Sequence, residues 1–319
     1  IGGVINYRTK QPAGASVEIS TGTHNTQKTL VELGGRSPSG DGVFGAVIGT
    51  ASSDGFLDKG YDMTDAVIKA GMAVGDNQWV GVKFTHYEND ANISYRGYFL
   101  AEYQQEADYN PAPDDWFLTG RQSMDVNHAW DISPSARLET VFFWSSVYRD
   151  YWRFGVDTAA SDAADRWVYT NTVNGNNRAF ERVGVDSRLF VSNTLFGIAG
   201  EAEIGLRYMT EEMVDQTIVA TRANPRTGTI SQDRIDAADS LALYLQNRFA
   251  LSEALAVTPG LRVEDYQQSR ENLRAVAPAV GYVETDNTEV MPGVGVTWQL
   301  NPGMQVFGGI YQAFSPALN

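Results

Sequence analysis

Connections of two kinds alternate along this chain, and that alternation constrains its fold more than any other feature. Short polar turns stand at SPSGDG, GDNQ, DISPSA, GIAG, SEA and NPG. Between them, after a tight first link near HN, come long polar segments at residues 54–64, 91–121, 151–179, 214–236 and 269–287. The stretches so joined alternate apolar and polar residues with period two, the mark of a strand whose two faces meet different surroundings. In EAEIGLRYM, Ala202, Ile204, Leu206 and Tyr208 share one face, and Glu201, Glu203, Gly205 and Arg207 share the other. SMDVNHAW sets Met124, Val126 and Trp130 against Asp125 and Asn127, and LAVTPGLRVED sets Leu255, Val257, Leu261 and Val263 against Thr258, Arg262 and Glu264.

About thirteen such strands are expected, near residues 15–23, 26–36, 43–53, 65–74, 79–90, 122–130, 137–150, 180–196, 201–213, 237–250, 255–268, 288–300 and 304–314. Strands of a soluble sandwich run roughly 5 to 6 residues, whereas these, apart from the longer 180–196, run about 9 to 14, the span a tilted strand needs to cross a bilayer. Short turns on one rim and long loops on the other are the arrangement of an outer-membrane barrel. No window approaches the roughly 18 consecutive apolar residues of a membrane helix; LALYL and TVFFW are the strongest runs. The expected fold is all-β, a transmembrane antiparallel β-barrel. Open edges are not tolerated in lipid, so an odd strand count predicts a fragment that is incomplete at its C-terminal end. Tyr7, Tyr61, Trp79, Tyr87, Trp130, Tyr148, Tyr151, Trp152, Tyr208, Trp298 and Tyr311 fall near proposed strand ends, as interface girdles do.

Charge and composition remove whole classes of function. Lys and Arg number 24 against 39 Asp and Glu, a net charge of −15, and nucleic acid attracts the opposite balance. Cysteine is absent, which removes disulfides, thiolate metal sites and cysteine nucleophiles together. His24, His86 and His128 are scattered and match neither a zinc pattern nor a pair of haem ligands. With no GxSxG, HExxH or P-loop pattern, neither an enzyme nor a cofactor is expected.

The opening GGVINYRTKQP, Gly2 to Pro12, resembles the end of the plug domain of TonB-dependent outer-membrane receptors, where a Gly-Gly-Val-Ile/Val-Asn stretch leads into the first barrel strand. Further on, YRGYFLAEYQQEADYNPAPDDWFLTGR is similar to a segment of the ferric dicitrate receptor group: Gly97, Ala101-Glu102-Tyr103, Asn110 to Asp114, Asp115-Trp116-Phe117 and Arg121. GLRYMTEE, YLQNRFALSEALAVTPGLRVEDYQ and MPGVGVTWQL follow in that group's order. The resemblance implies that residues 1–12 end a plug domain and residues 13–319 form about the first thirteen strands of a barrel of about 22. It also implies energised import of an iron chelate, most readily ferric dicitrate, across the outer membrane of a Gram-negative bacterium. The implied partners are the chelate, outer-membrane lipid with lipopolysaccharide, and the TonB-ExbB-ExbD complex, gripped through a TonB box that precedes this chain.

Arginine presents a planar fork that holds a carboxylate through two bonds, so arginines high on the polar face are the candidates for such a ligand. Arg149 shares parity with Arg137 and Glu139, opposite Leu138, Phe142 and Trp144; Arg178 leads into strand eight in phase with Arg182, Asp186 and Arg188; Arg234 closes the fifth long segment in SQDRID. These three also fall where the resembling group keeps ligand-binding arginines, and Arg121, ending the third long segment, is a fourth. Each competes with pairing to a carboxylate of the same face, as is expected of Arg207 with Glu203. Distant charge is screened beyond about 8 Å, so a few convergent arginines outweigh the global balance. Asp54, Asp58, Asp62 and Asp65 are hard oxygen ligands within one stretch and so calcium candidates, but without EF-hand spacing a solvated acidic loop is the plainer reading.

Three alternatives stay open: a receptor of the same architecture for another siderophore, cobalamin or a sugar; a passive porin; and a soluble all-β binding protein.

Overall fold

A computed structural model describes residues 9–275 and 281–314. Thirteen antiparallel strands form one sheet in which every strand pairs only with its neighbours in sequence. They are β1 (Gly14–Gly22), β2 (Thr26–Arg36), β3 (Gly42–Ser53), β4 (Tyr61–Val74), β5 (Gln78–Asn92), β6 (Trp116–Ser133) and β7 (Ala136–Val156), then β8 (Tyr169–Leu195), β9 (Ile198–Thr221), β10 (Asn224–Ala250), β11 (Leu255–Asn272), β12 (Tyr282–Asn301) and β13 (Met304–Tyr311). Two short helices, α1 (Leu100–Gln104) and α2 (Thr158–Ala164), lie in the links after β5 and β7. No helix among the described residues is long and apolar enough to cross a membrane.

A simple meander puts alternate connections on opposite rims, and the six short turns read from the sequence all fall on one. The long connections share the other rim with the tight first link and the two-residue turn at 222–223. The opening stretch belongs largely to residues 1–8, outside the described set. Residues 9–12 are described and cross the polar face of β2–β4. Lys10 Nζ pairs with Glu32 at 2.7 Å, the Gln11 amide donates to the Phe44 carbonyl at 2.8 Å, and Lys69 Nζ donates to the Thr9 carbonyl at 3.1 Å. Pro12 approaches so closely that a Cβ on Gly34 would lie 2.4 Å from its carbonyl oxygen.

Directly opposed residues of an antiparallel pair share a face, so the ladder sorts every side chain. Ala70, Val82, Val126, Phe142, Val185, Tyr208 and Leu241 are linked in one line by successive pairings, with Ile68, Phe84 and Met124 two residues along their strands, and all lie on the apolar face. Ile68, Phe84, Phe142, Tyr208 and Leu241 are all exposed there, as lipid-facing side chains must be. Of the aromatics near strand ends, Trp130, Tyr148, Tyr208 and Trp298 lie on this face. Trp79, Tyr87 and Tyr151 lie on the other.

The long segments are shorter as loops than the sequence suggests. β8 and β10 each run 27 residues and β9 runs 24, so residues 214–236 are strand apart from the turn at 222–223. Arg234 therefore stands within β10 rather than at a loop end, Arg178 nine residues into β8, and Arg121 five residues into β6. Beyond the bilayer neither face of a paired strand has to be oily, so the hydrogen-bonded ladder continues after the apolar alternation has stopped.

Candidate functional site

The register gathers the predicted arginines. Thr119, Arg149, Arg178, Asp215, Arg234 and Asn272 stand opposite one another in an unbroken cross-strand row from β6 to β11. All six share the polar face. One row nearer the short-turn rim run Arg121, Val147, Phe180, Met213, Asp236 and Arg270. Three strands thus deliver Arg149, Arg178 and Arg234 to one line although 85 positions separate the first from the last.

Their surroundings differ. Asp215 is 4% exposed and accepts from two arginines, Arg178 Nε at 3.3 Å and Arg234 Nη2 at 2.7 Å. Arg234 Nε also stands 3.3 Å from Asp236 Oδ2, and Arg270 closes the chain with hydrogen bonds to both Asp236 oxygens. Arg149 makes no ion pair among the described residues, and its Nε is buried without a hydrogen-bond partner. Arg121 is exposed and likewise makes no ion pair among them. Across the two rows five arginines face two aspartates, a local excess of three positive charges on a chain whose net charge is −15. Such an arrangement has the chemistry to hold an anion with several carboxylates, each charge-assisted bond contributing roughly 1.5–3 kcal/mol.

Beyond the row the strands are capped. Trp152, Phe154, Val173 and Ala220 form a buried cluster, with Trp116, Leu118, Tyr169 and Ile218 packed against it. These residues continue the apolar face, but here it meets protein. Ala112 is fully buried, and the Tyr169 hydroxyl donates to the Pro111 carbonyl. Arg222 places its guanidinium 4.7 Å from the Phe154 ring, and Arg226 lies 5.3 Å from that of Trp116. At the centre Arg96 and Asp115 form an ion pair at 2.9 Å, 6% and 0% exposed. Asp115 also accepts the Phe154 backbone N–H at 2.9 Å and the Ser94 hydroxyl at 2.5 Å, while Arg96 donates to the Phe154 carbonyl at 2.7 Å. In the same link the Tyr109 hydroxyl donates to Glu102; burial, then that bond, pushes the phenol up to about 12.

The acidic stretch is not gathered in this way. Asp58 ends a single 3-10 turn, and Asp62 and Asp65 project from opposite faces of β4. No group of three or more His, Cys, Asp or Glu side chains among the described residues is placed to hold a metal ion. Sequence reasoning missed Asp215 and the Arg96–Asp115 pair. Asp215 had a usable signal, since it shares parity with Glu203, Arg207 and Glu211 on β9; Arg96 had none.

The profile of the family described as TonB dependent receptor-like, beta-barrel, matches residues 50–319. No curated protein sequence matches the chain. Among solved structures, the ferric citrate transporter FecA in its unliganded form superposes with a TM-score of 0.75 at 15% identity, over 95% of this chain and 45% of that one. The open form of the ferric-catecholate import receptor Fiu of E. coli K12 gives 0.76 at 12% identity, over 97% and 56%. The siderophore receptor PiuA of Acinetobacter baumannii gives 0.73 at 10%, over 91% and 48%. Identities this low establish the fold, and the chain spans about half the length of these receptors. With thirteen meandering strands, one oily face and a profile covering most of its length, the chain belongs to the TonB dependent receptor-like β-barrel family.

Proposed function

We propose that this chain carries the ligand-recognition face of a TonB-dependent outer-membrane transporter for an iron chelate edged with carboxylates, ferric dicitrate being the simplest such ligand. The observation that carries this reading is the row Arg149–Arg178–Asp215–Arg234, in which Asp215 satisfies two arginines and Arg149 is left for a ligand. Residues 1–12 are read as the end of a plug and residues 13–319 as the barrel part; the contacts of residues 9–12 with the polar face of β2–β4 support that division. In the intact receptor the TonB-ExbB-ExbD complex would act through the plug, and lipid and lipopolysaccharide would cover the apolar face.

Replacing Arg149, Arg178 and Arg234 together with glutamine in the full-length receptor is expected to abolish uptake of radiolabelled ferric citrate while the barrel still assembles in the outer membrane. Uptake at the parental rate would refute the site. Competition by other siderophores and by cobalamin in the same assay separates the citrate reading from its alternatives within the family.

A further inference from the structure

The polar face carries adjacent apolar side chains immediately beside the arginines. Val147, Phe180 and Met213 oppose one another on β7, β8 and β9 of the polar face, each two residues along its strand from Arg149, Arg178 and Asp215. Two rows further on, Phe143 and Met209 flank Gly184, where a Cβ would lie 2.6 Å from the Phe143 ring, so the ring occupies the space the glycine leaves. The Arg182–Glu211 ion pair crosses the patch and leaves neither charge free. Between β8 and β11, Phe180, Met209 and Met213 open with Ala238 and Tyr266 into a cavity of about 490 Å³, which Glu211 and Glu264 also line. Asp236 and Arg270 line it too, and Asp236 is tied to Arg234 in the arginine row.

Burying apolar surface is the main source of affinity in small-molecule sites, and a few polar groups fix orientation. Ferric dicitrate offers carboxylates and hydroxyls and has nothing to place against two methionines, a phenylalanine and a tyrosine. Methionine is also the side chain that moulds itself best to a flexible apolar partner. We propose that the cavity receives an alkyl or aryl arm, so that the preferred ligand is an amphiphilic chelate whose carboxylates meet the arginine row and whose arm fills the space beside it. The inference rests on the carboxylate reading of the arginine row and adds a second ligand element to it.

The test titrates the full-length receptor in detergent, by quenching of tryptophan fluorescence, with two probes: ferric citrate and the ferric complex of citrate mono-phenethylamide. The armed chelate is expected to bind about tenfold more tightly. Phe180→Ser and Met213→Ser should each remove most of that difference and leave ferric citrate within about twofold, while Phe180→Leu restores it. Arg149→Gln should weaken both probes. If ferric citrate binds and the arm adds nothing, or if Phe180→Ser weakens both probes equally, the arm site is overturned and the arginine site stands. If neither probe binds the parental receptor, the carboxylate reading falls and takes the arm site with it.

Discussion

Arg149 and Arg178 stand directly opposite each other on β7 and β8, yet among the described residues Arg178 has a carboxylate to answer it and Arg149 has none. Like charges placed face to face in a ladder oppose folding, and here Asp215 relieves one side only. The uncompensated arginine is the group on this face with most to gain from an incoming anion.

Arg149→Gln therefore separates binding from stability. With no ion pair lost, the urea midpoint of the refolded receptor should move little, while affinity for ferric citrate falls about 10- to 100-fold. Isothermal titration beside an unfolding curve checks both halves; a large loss of stability would mean that Arg149 is structural.

Asp215→Asn reverses the pattern. Two arginines lose their shared acceptor, and because Arg178 keeps 38% of its side chain exposed the cost is well below that of a fully buried pair, about 2 kcal/mol. The freed guanidinium charge should raise affinity for ferric citrate at low salt, and the gain should shrink as salt is added. Unchanged affinity at every salt concentration would show that the anion does not meet this row.

In the cap, Arg96→Met leaves Asp115 buried with the Ser94 hydroxyl and the Phe154 N–H but no cation. Breaking a buried pair from one side costs about 3–5 kcal/mol, more than a cap of this size withstands. Limited proteolysis should cut residues 93–115 in the variant and spare the strands, and the double variant Arg96→Met/Asp115→Leu should regain much of the protection.

Alkali supplies a further test outside the membrane. Tyr109 is neutral when protonated and its folded pKa, about 12, lies above the usual value of 10. Its contribution is thus fully present below pH 10 and is lost as pH rises through the folded value. The phenolate absorbance of the parent minus that of Tyr109→Phe should titrate near the raised value. A difference curve centred at the ordinary tyrosine value would show that neither the burial nor the Glu102 contact holds.

Thirteen strands are visible in the sequence because lipid on one side and water on the other impose period two wherever a strand crosses the membrane. The upper halves of β8, β9 and β10 are not, because residues such as Asn174, Asn176, Gln216 and Thr217 meet water or polar neighbours on both faces and the alternation fades. Arg149 and Arg178 can be picked out by parity and Arg234 by its place at the end of a long polar segment; their common row depends on ladder register across β7 to β10, which no local pattern encodes. The Arg96–Asp115 pair lies further from view, since it depends on how a 23-residue link folds back on itself.

The 27-residue strands have a consequence for how such a receptor changes over time. Insertion of two residues in each arm of a hairpin would lift everything above it by about 7 Å and keep every side chain pointing the same way. Insertion of one would turn the guanidinium line outward. The height of the arginine row can thus change in even steps alone, while the strand rows beneath it stay as they are.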